Sequence, residues 1–234
     1  TVCTPATTYA QADAQTDNQG ELRRYLYVAQ PGIRNYLQYG GHGVLVYDID
    51  NDYAFVKRIV TGGYEDDGVR PINVKGVCAS AKTGRLYIST IKHLICLDLE
   101  TDKILWEKTF DAGCDRMSIS PDGTVIYLPS LEKDHWKVID SISGDEIARV
   151  TPRSGAHNTV YGRDGKSVFL AGLRSPLLTV AETSGHTIAG QIGPFGGNVR
   201  PFTVNSTTTR CYVNATNPPP AGSTAKPCPV KGIA

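Results

Sequence analysis

The chain has 234 residues, 40% of them hydrophobic, and a formal charge of +1 from 24 basic and 23 acidic side chains. That is enough apolar material for one core or two small ones, and too even a charge balance to favour nucleic acid or an anionic membrane surface. No apolar run approaches the roughly 18 residues that a membrane-spanning helix needs, while 24 glycines and 14 prolines against one methionine suit a turn-rich β protein.

Residues 1–23 read as a flexible N-terminal segment. TVCTPATTYAQADAQTDNQG is small and polar, with neither a basic n-region nor an apolar h-region. It is either what remains after a signal peptide is removed or a frayed tail, and a periplasmic or secreted location goes with the first option. The first apolar segment, RYLYVA around Tyr27, is followed by an insert, PGIRNYLQYGGHG, then VYDID, then a second insert, TGGYEDDGVRPIN. Both inserts read as loops grafted onto a regular unit.

That unit then recurs. VKGVCASAKTGRLYIST leads to CLDLE, CDRMSISPDGTVIYLPS to VIDSI, and AHNTVYGRDGKSVFLAG to VAETS; VRPF and TRCYVN begin a fifth copy. The aromatics Tyr27, Tyr87, Tyr127, Phe169 and Tyr212 are separated by 60, 40, 42 and 43 residues, and the acids Asp48, Asp98, Asp140 and Glu182 by 50, 42 and 42. In the third copy, strands are expected over Met117–Ser120, Val125–Leu128, Trp136–Ile139 and Glu146–Val150. Asp122-Gly123 and Ser143-Gly144 supply hairpin turns, since glycine takes a positive φ without a Cβ clash. The acid closing each third strand is placed to accept from turn amides. Four short strands at a period of about 42 residues are one blade of a β-propeller. Residues 24–217 therefore read as an incomplete ring of four full blades and the first two strands of a fifth, all-β throughout.

The pattern ISPDGTVIYLP…WKVIDSISGDEIARV resembles the YVTN-type bacterial β-propeller repeat, a WD40-like family with lactonase-like members. The resemblance spans roughly residues 24–215 and implies a closed ring, usually of seven blades. Here the pattern stops after Asn217, and PPPAGSTAKPCPVKGIA, within the tail 218–234, has no strand alternation. A fragment, an altered reading frame, or completion by another chain would each account for this. Self-association through open blade edges is the corresponding partner expectation.

Blade topology puts the segments entering each first strand on one face with the loops between second and third strands. VKGV, CDRM, AHNT and VRPF then bring Lys75, Asp115, Arg116, His157, Asn158, Arg200 and Pro201 to the mouth of the central channel. His42, His93 and His135 fall on the same face, and His186 on the other. Arg116 and Arg200 are suited to a carboxylate or phosphate, His157 titrates near neutrality in its ordinary state, and Asp115 is the nearest carboxylate to answer the two guanidiniums. The expected function is binding of a small anionic ligand or a protein partner on this loop face. The alternative is a lactonase-like hydrolase at the channel mouth, with His157 as its candidate catalytic group. Ser154 lies near His157 in RSGAHN, but both are expected on a loop, and no orienting acid is evident beside them. There is no G-x-S-x-G elbow and no phosphate loop, and no cofactor or metal is expected. Trp106 in LWEKTF is expected to pack between neighbouring sheets. None of the six cysteines forms a C-x-x-C pair, and Cys78, Cys96 and Cys211 read as small apolar residues of strands.

Overall fold

In the computed structural model the apolar alternation of the repeat becomes antiparallel pairing. The structure describes residues 22–30, 43–61 and 72–216. Cys3, His42, Cys228, most of both inserts and the tail 218–234 lie outside the described residues.

Seventeen strands make five antiparallel sheets, and no helix occurs among the described residues. The first sheet is β1 (Tyr25–Gln30), β2 (Gly43–Asp48) and β3 (Ala54–Ile59). The second is β4 (Val74–Ser80), β5 (Arg85–Thr90), β6 (His93–Asp98) and β7 (Ile104–Thr109). The third is β8 (Ser118–Ile119), β9 (Val125–Pro129), β10 (Trp136–Asp140) and β11 (Glu146–Val150). The fourth is β12 (Ala156–Tyr161), β13 (Ser167–Gly172), β14 (Leu178–Glu182) and β15 (Thr187–Ile192). β16 (Asn198–Val204) and β17 (Cys211–Thr216) pair as the fifth. The expected boundaries in the third sheet all hold to within a residue, which leaves two residues in its first strand. The second, third and fourth sheets each have four strands, and the first has three among the described residues.

The core is a series of seams between sheets. Successive residues of a strand point to opposite faces, and here both faces are covered. Leu86 and Ile88 pack back against Val44 and Val46 of the first sheet, while Tyr87 between them packs forward against Ile126 and Leu128 of the third. Tyr127 then meets Val168 and Leu170, and Phe169 meets Val199 and Phe202. Each such buried side chain contributes about 1.5–3 kcal/mol relative to exposure, so the recurring aromatic is a seam residue. The end sheets leave the equivalent positions uncovered. Leu26 and Val28 are 41% and 38% exposed, and Tyr212 is 57% exposed.

Each recurring acid caps its turn, as its position requires. Asp98 Oδ1 accepts from the Thr101 amide (2.8 Å), Asp140 Oδ1 from the amides of Ile142 and Ser143 (2.9 and 2.8 Å), and Glu182 from the Ser184 and Gly185 amides. Glu182 also accepts from the Ser184 hydroxyl, and this bond is the main cause of a carboxyl held down at about 2.

Backbone bonds between connections define the two faces. Cys114 N–H donates to Ile91 O, and Glu132 N–H to Ala156 O, which joins second-to-third-strand loops to the segments entering the next first strand. On the opposite face Ser141 N–H donates to Thr124 O and Thr183 N–H to Lys166 O. His93 and His135 belong to the first face by position. His186 lies in a turn of the opposite face, where its Nδ1 bonds the Tyr127 hydroxyl at 2.7 Å. Trp106 packs between sheets, 6.1 Å from the Tyr87 ring and over Gly144 of the next sheet. Gly144 has φ +75°, and a Cβ there would come within 3.1 Å of three Trp106 ring carbons, so both its backbone and its neighbour require glycine.

Candidate functional site

The mouth is built on a repeated irregularity in the innermost strands. The register of β4 with β5 slips between Val74 and Gly76, that of β12 with β13 between Ala156 and Asn158, and that of β16 with β17 between Val199 and Phe202. Lys75, His157 and the Arg200-Pro201 pair are therefore the extra residues of β-bulges. Asp115 takes the corresponding place before β8, its amide bonded to Pro129 O at 3.0 Å. A bulge frees its extra residue from the ladder and re-aims the side chain. Gly76 closes the first slip, and Gly155, at φ +75°, immediately precedes the second.

Close approach of the inner strands brings the re-aimed groups together. A Cβ on Gly76 would lie 3.2 Å from Arg116 Cα and 3.0 Å from Ser89 Oγ, and the Ser89 hydroxyl donates to Asp115 O at 2.8 Å. Arg116 and Asn158 form an isolated parallel bridge, joining the third sheet's inner edge to the fourth's.

Across that bridge His157 Nδ1–H donates to Asp115 Oδ2 at 2.7 Å. Both groups are buried, at 5% and 1% exposure. Asp115 Oδ1 accepts from the Arg116 amide at 3.0 Å and lies 3.6 Å from Arg116 Nη1. That same Nη1 is 2.5 Å from His157 Nε2 and 3.2 Å from Nδ1. Proximity to both ring nitrogens at once lays the planar guanidinium across the face of the imidazole. The carboxylate fixes the Nδ1–H tautomer, the ring supports the guanidinium, and the Arg116 side chain stays 48% exposed.

An acid bonded to His157 thus comes from the neighbouring sheet, where local sequence around Ser154 could not reveal it. His157 itself lies in a strand, not on a loop. Ser154 Oγ is buried without a hydrogen-bond partner and abuts Gly172, where an added Cβ would lie 2.6 Å away. Arg200 is half-buried in β16, and its guanidinium makes no hydrogen bond or ion pair among the described residues. The Asn158 side chain likewise makes no hydrogen bond among the described residues; the residue serves through its backbone bridge. Lys75 makes no hydrogen bond or ion pair to the Asp115–His157–Arg116 cluster, and among the described residues no group of three or more His, Cys, Asp or Glu could hold a metal ion.

Sequence reasoning passed over Lys137, which is fully buried beneath this face. Its Nζ donates to Gly113 O at 3.1 Å, lies 3.9 Å from Asp111 Oδ1 and sits 5.8 Å over the Phe110 ring. Burial holds its pKa below the usual lysine range. The nearby Cys114 thiol is pushed up to about 12, again by burial. Cys78, Cys96, Cys114 and Cys211 are free thiols.

Comparison with solved structures identifies the architecture. The chain is similar to the β-propeller domain of Cps50 (Swd1) from Myceliophteria thermophila, with a TM-score of 0.60 and 14% identity over 74% of this chain. It spans 56% of that chain, and the likeness shows the propeller fold. No family model and no curated protein matches the chain. The narrower likeness to YVTN-type and lactonase-like repeats rests on the sequence pattern.

Proposed function

We propose that this propeller is a binding module whose axial mouth takes an anionic group, either a small carboxylate or phosphate or an acidic side chain of a protein partner, through Arg116. The observation that carries the reading is the buttressed guanidinium. A buried carboxylate orients a buried imidazole, which supports a half-exposed arginine, so little side-chain entropy remains to be lost when a ligand pairs with the open edge of the fork. Arg200, two blades further on and making no hydrogen bond or ion pair among the described residues, supplies a second cation to a ligand long enough to reach it.

A thermal-shift series with acetate, succinate, citrate and inorganic phosphate tests this. At a hundredfold excess over its Kd a bound anion contributes about 2.7 kcal/mol to stability. The wild type is expected to gain that stability and Arg116→Ala to lose most of the gain, with Arg200→Ala intermediate. Equal responses in the wild type and the double variant Arg116→Ala/Arg200→Ala would overturn the reading.

A lactonase-like hydrolase is favoured by one observation, the Asp115–His157 pair, which is how a general base is oriented. Its nucleophile would be a water, since Ser154 is packed against Gly172. Lactone turnover abolished by His157→Ala, with the fold retained, would move the assignment to this reading.

A further inference from the structure

Because the sheets repeat, their seams can be compared position by position, and one seam is open where its neighbour is closed. On the face opposite the mouth, the seam between the second and third sheets is closed by Arg85 and Tyr87. Arg85 Nη1 donates to the carbonyls of Ser141 (3.3 Å) and Ile142 (2.8 Å), and the Tyr87 hydroxyl donates to Ser141 O (3.1 Å). Arg85 stands two residues before the seam aromatic, and Ser141 and Ile142 are the two residues after the capping acid Asp140. At the next seam Val125 replaces the arginine, and His186 engages the Tyr127 hydroxyl.

At the seam between the first and second sheets the same positions hold Tyr25 and Tyr27, facing Leu99 and Glu100 after the capping acid Asp98. No hydrogen bond among the described residues reaches the carbonyls of Leu99 and Glu100 or the Tyr27 hydroxyl. A cleft of 660 Å³ lies there, lined by both tyrosines, Asp98, Leu99 and Glu100.

We propose that this cleft binds a guanidinium, from an arginine side chain of a partner or from a free guanidino compound, in the place that Arg85 fills one seam further on. Two successive carbonyls suit the donor fork of a guanidinium, and two phenol rings supply cation–π faces. Charge agrees with this. Lys57, also in the lining, is paired with Asp102 at 2.5 Å, which leaves Arg23 against Asp98 and Glu100. Burial, and then the negative field of Asp102, raise the pKa of the Tyr27 phenol. The cleft is far larger than the head group, which leaves room for the chain that carries it. The site is independent of the mouth, on the opposite face and of opposite charge preference.

Two-dimensional NMR titrations of the full chain with arginine amide, lysine amide and inorganic phosphate test the proposal. Arginine amide is expected to shift the Tyr25, Tyr27, Leu99 and Glu100 signals, and to bind at least tenfold more tightly than lysine amide. Tyr27→Ala should weaken binding about fivefold, one cation–π contact, and Glu100→Gln a few-fold. Tyr25→Arg restores the residue type of the closed seam and should abolish binding while the rest of the spectrum is retained. A Gly-Arg-Gly peptide binding tenfold more tightly than arginine amide identifies a partner chain as the source, and equal binding identifies a free guanidino ligand. Absence of arginine-amide shifts, equal response to lysine amide, or phosphate binding at these residues overturns the proposal. Should Tyr25→Arg fail to fold, unchanged arginine-amide affinity in both Tyr27→Ala and Glu100→Gln overturns it equally.

Discussion

Removing Asp115 probes the buttress from within. Its side chain accepts from His157 Nδ1 at 2.7 Å and from the Arg116 amide at 3.0 Å, and it is 1% exposed. Asp115→Ala leaves a buried ring N–H and a backbone N–H without acceptors, each costing about 1–3 kcal/mol, so a loss of about 2–4 kcal/mol is expected once the site partly relaxes. His157→Ala alone removes the donor and leaves the buried carboxylate to the Arg116 amide, a cost of similar size. The double variant should cost less than the sum, with a coupling energy of about 1.5–3 kcal/mol, the range for a hydrogen bond to a charged group. Equilibrium urea unfolding followed by the fluorescence of Trp106 and Trp136 is well placed to measure it, because both indoles sit in seams of the second to fourth sheets. The m-values of the four proteins must agree for the cycle to be read. A coupling below about 0.5 kcal/mol, the scatter expected of independent sites, would refute the pairing and with it the orientation of Arg116.

The Cys114 thiol has a folded pKa of about 12, above the unfolded value, so its stabilising share is intact below about pH 8.5 and is lost as pH rises toward 12. Cys114→Ala should therefore lower neutral stability by about 1 kcal/mol and make the alkaline decline of midpoint against pH shallower; an unchanged slope contradicts the burial of the thiol. Lys137 has the opposite sign. Its folded pKa lies below the unfolded value near 10.5, so burial of the ammonium costs stability at neutral pH and the cost is relieved as pH rises toward 10.5. Lys137→Met should stay within about 1 kcal/mol of wild type at pH 7 and lose that alkaline gain, and a loss above about 3 kcal/mol in urea unfolding would instead mark the ammonium as structurally required. Gly144→Ala should cost about 1–3 kcal/mol and shift the Trp106 emission, because the new methyl meets the indole; a silent substitution would mean the seam is looser than drawn.

How much of this was legible in sequence depends on whether a feature is local. Strand limits around Trp136 and Glu146, and the capping role of Asp98 and Asp140, follow from alternation and turn chemistry within a dozen residues. Asp115 could be named as the carboxylate near Arg116, because they are adjacent. Its bond to His157 could not, because that bond depends on the bulge at His157 and on the rotation between the third and fourth sheets. The same rotation brings Arg116 and His157 together while Arg200, on a separate bulge containing Pro201, makes no bond to them. The open seam at Tyr25 is a property of comparison. Tyr25 becomes informative only once Arg85 is seen donating to the carbonyls after Asp140.

The central claim is that the mouth reads an anion through an arginine held by a carboxylate-oriented imidazole. Nitrogen-15 NMR of the His157 ring and the Arg116 side chain, recorded at neutral pH during a succinate titration, tests it most directly. The account predicts a His157 Nδ1–H that stays hydrogen-bonded to Asp115 throughout, with the Arg116 guanidinium signals moving saturably as succinate binds. A ring protonated at Nε2 alone, or Arg116 signals that stay fixed while succinate stabilises the protein, would contradict it.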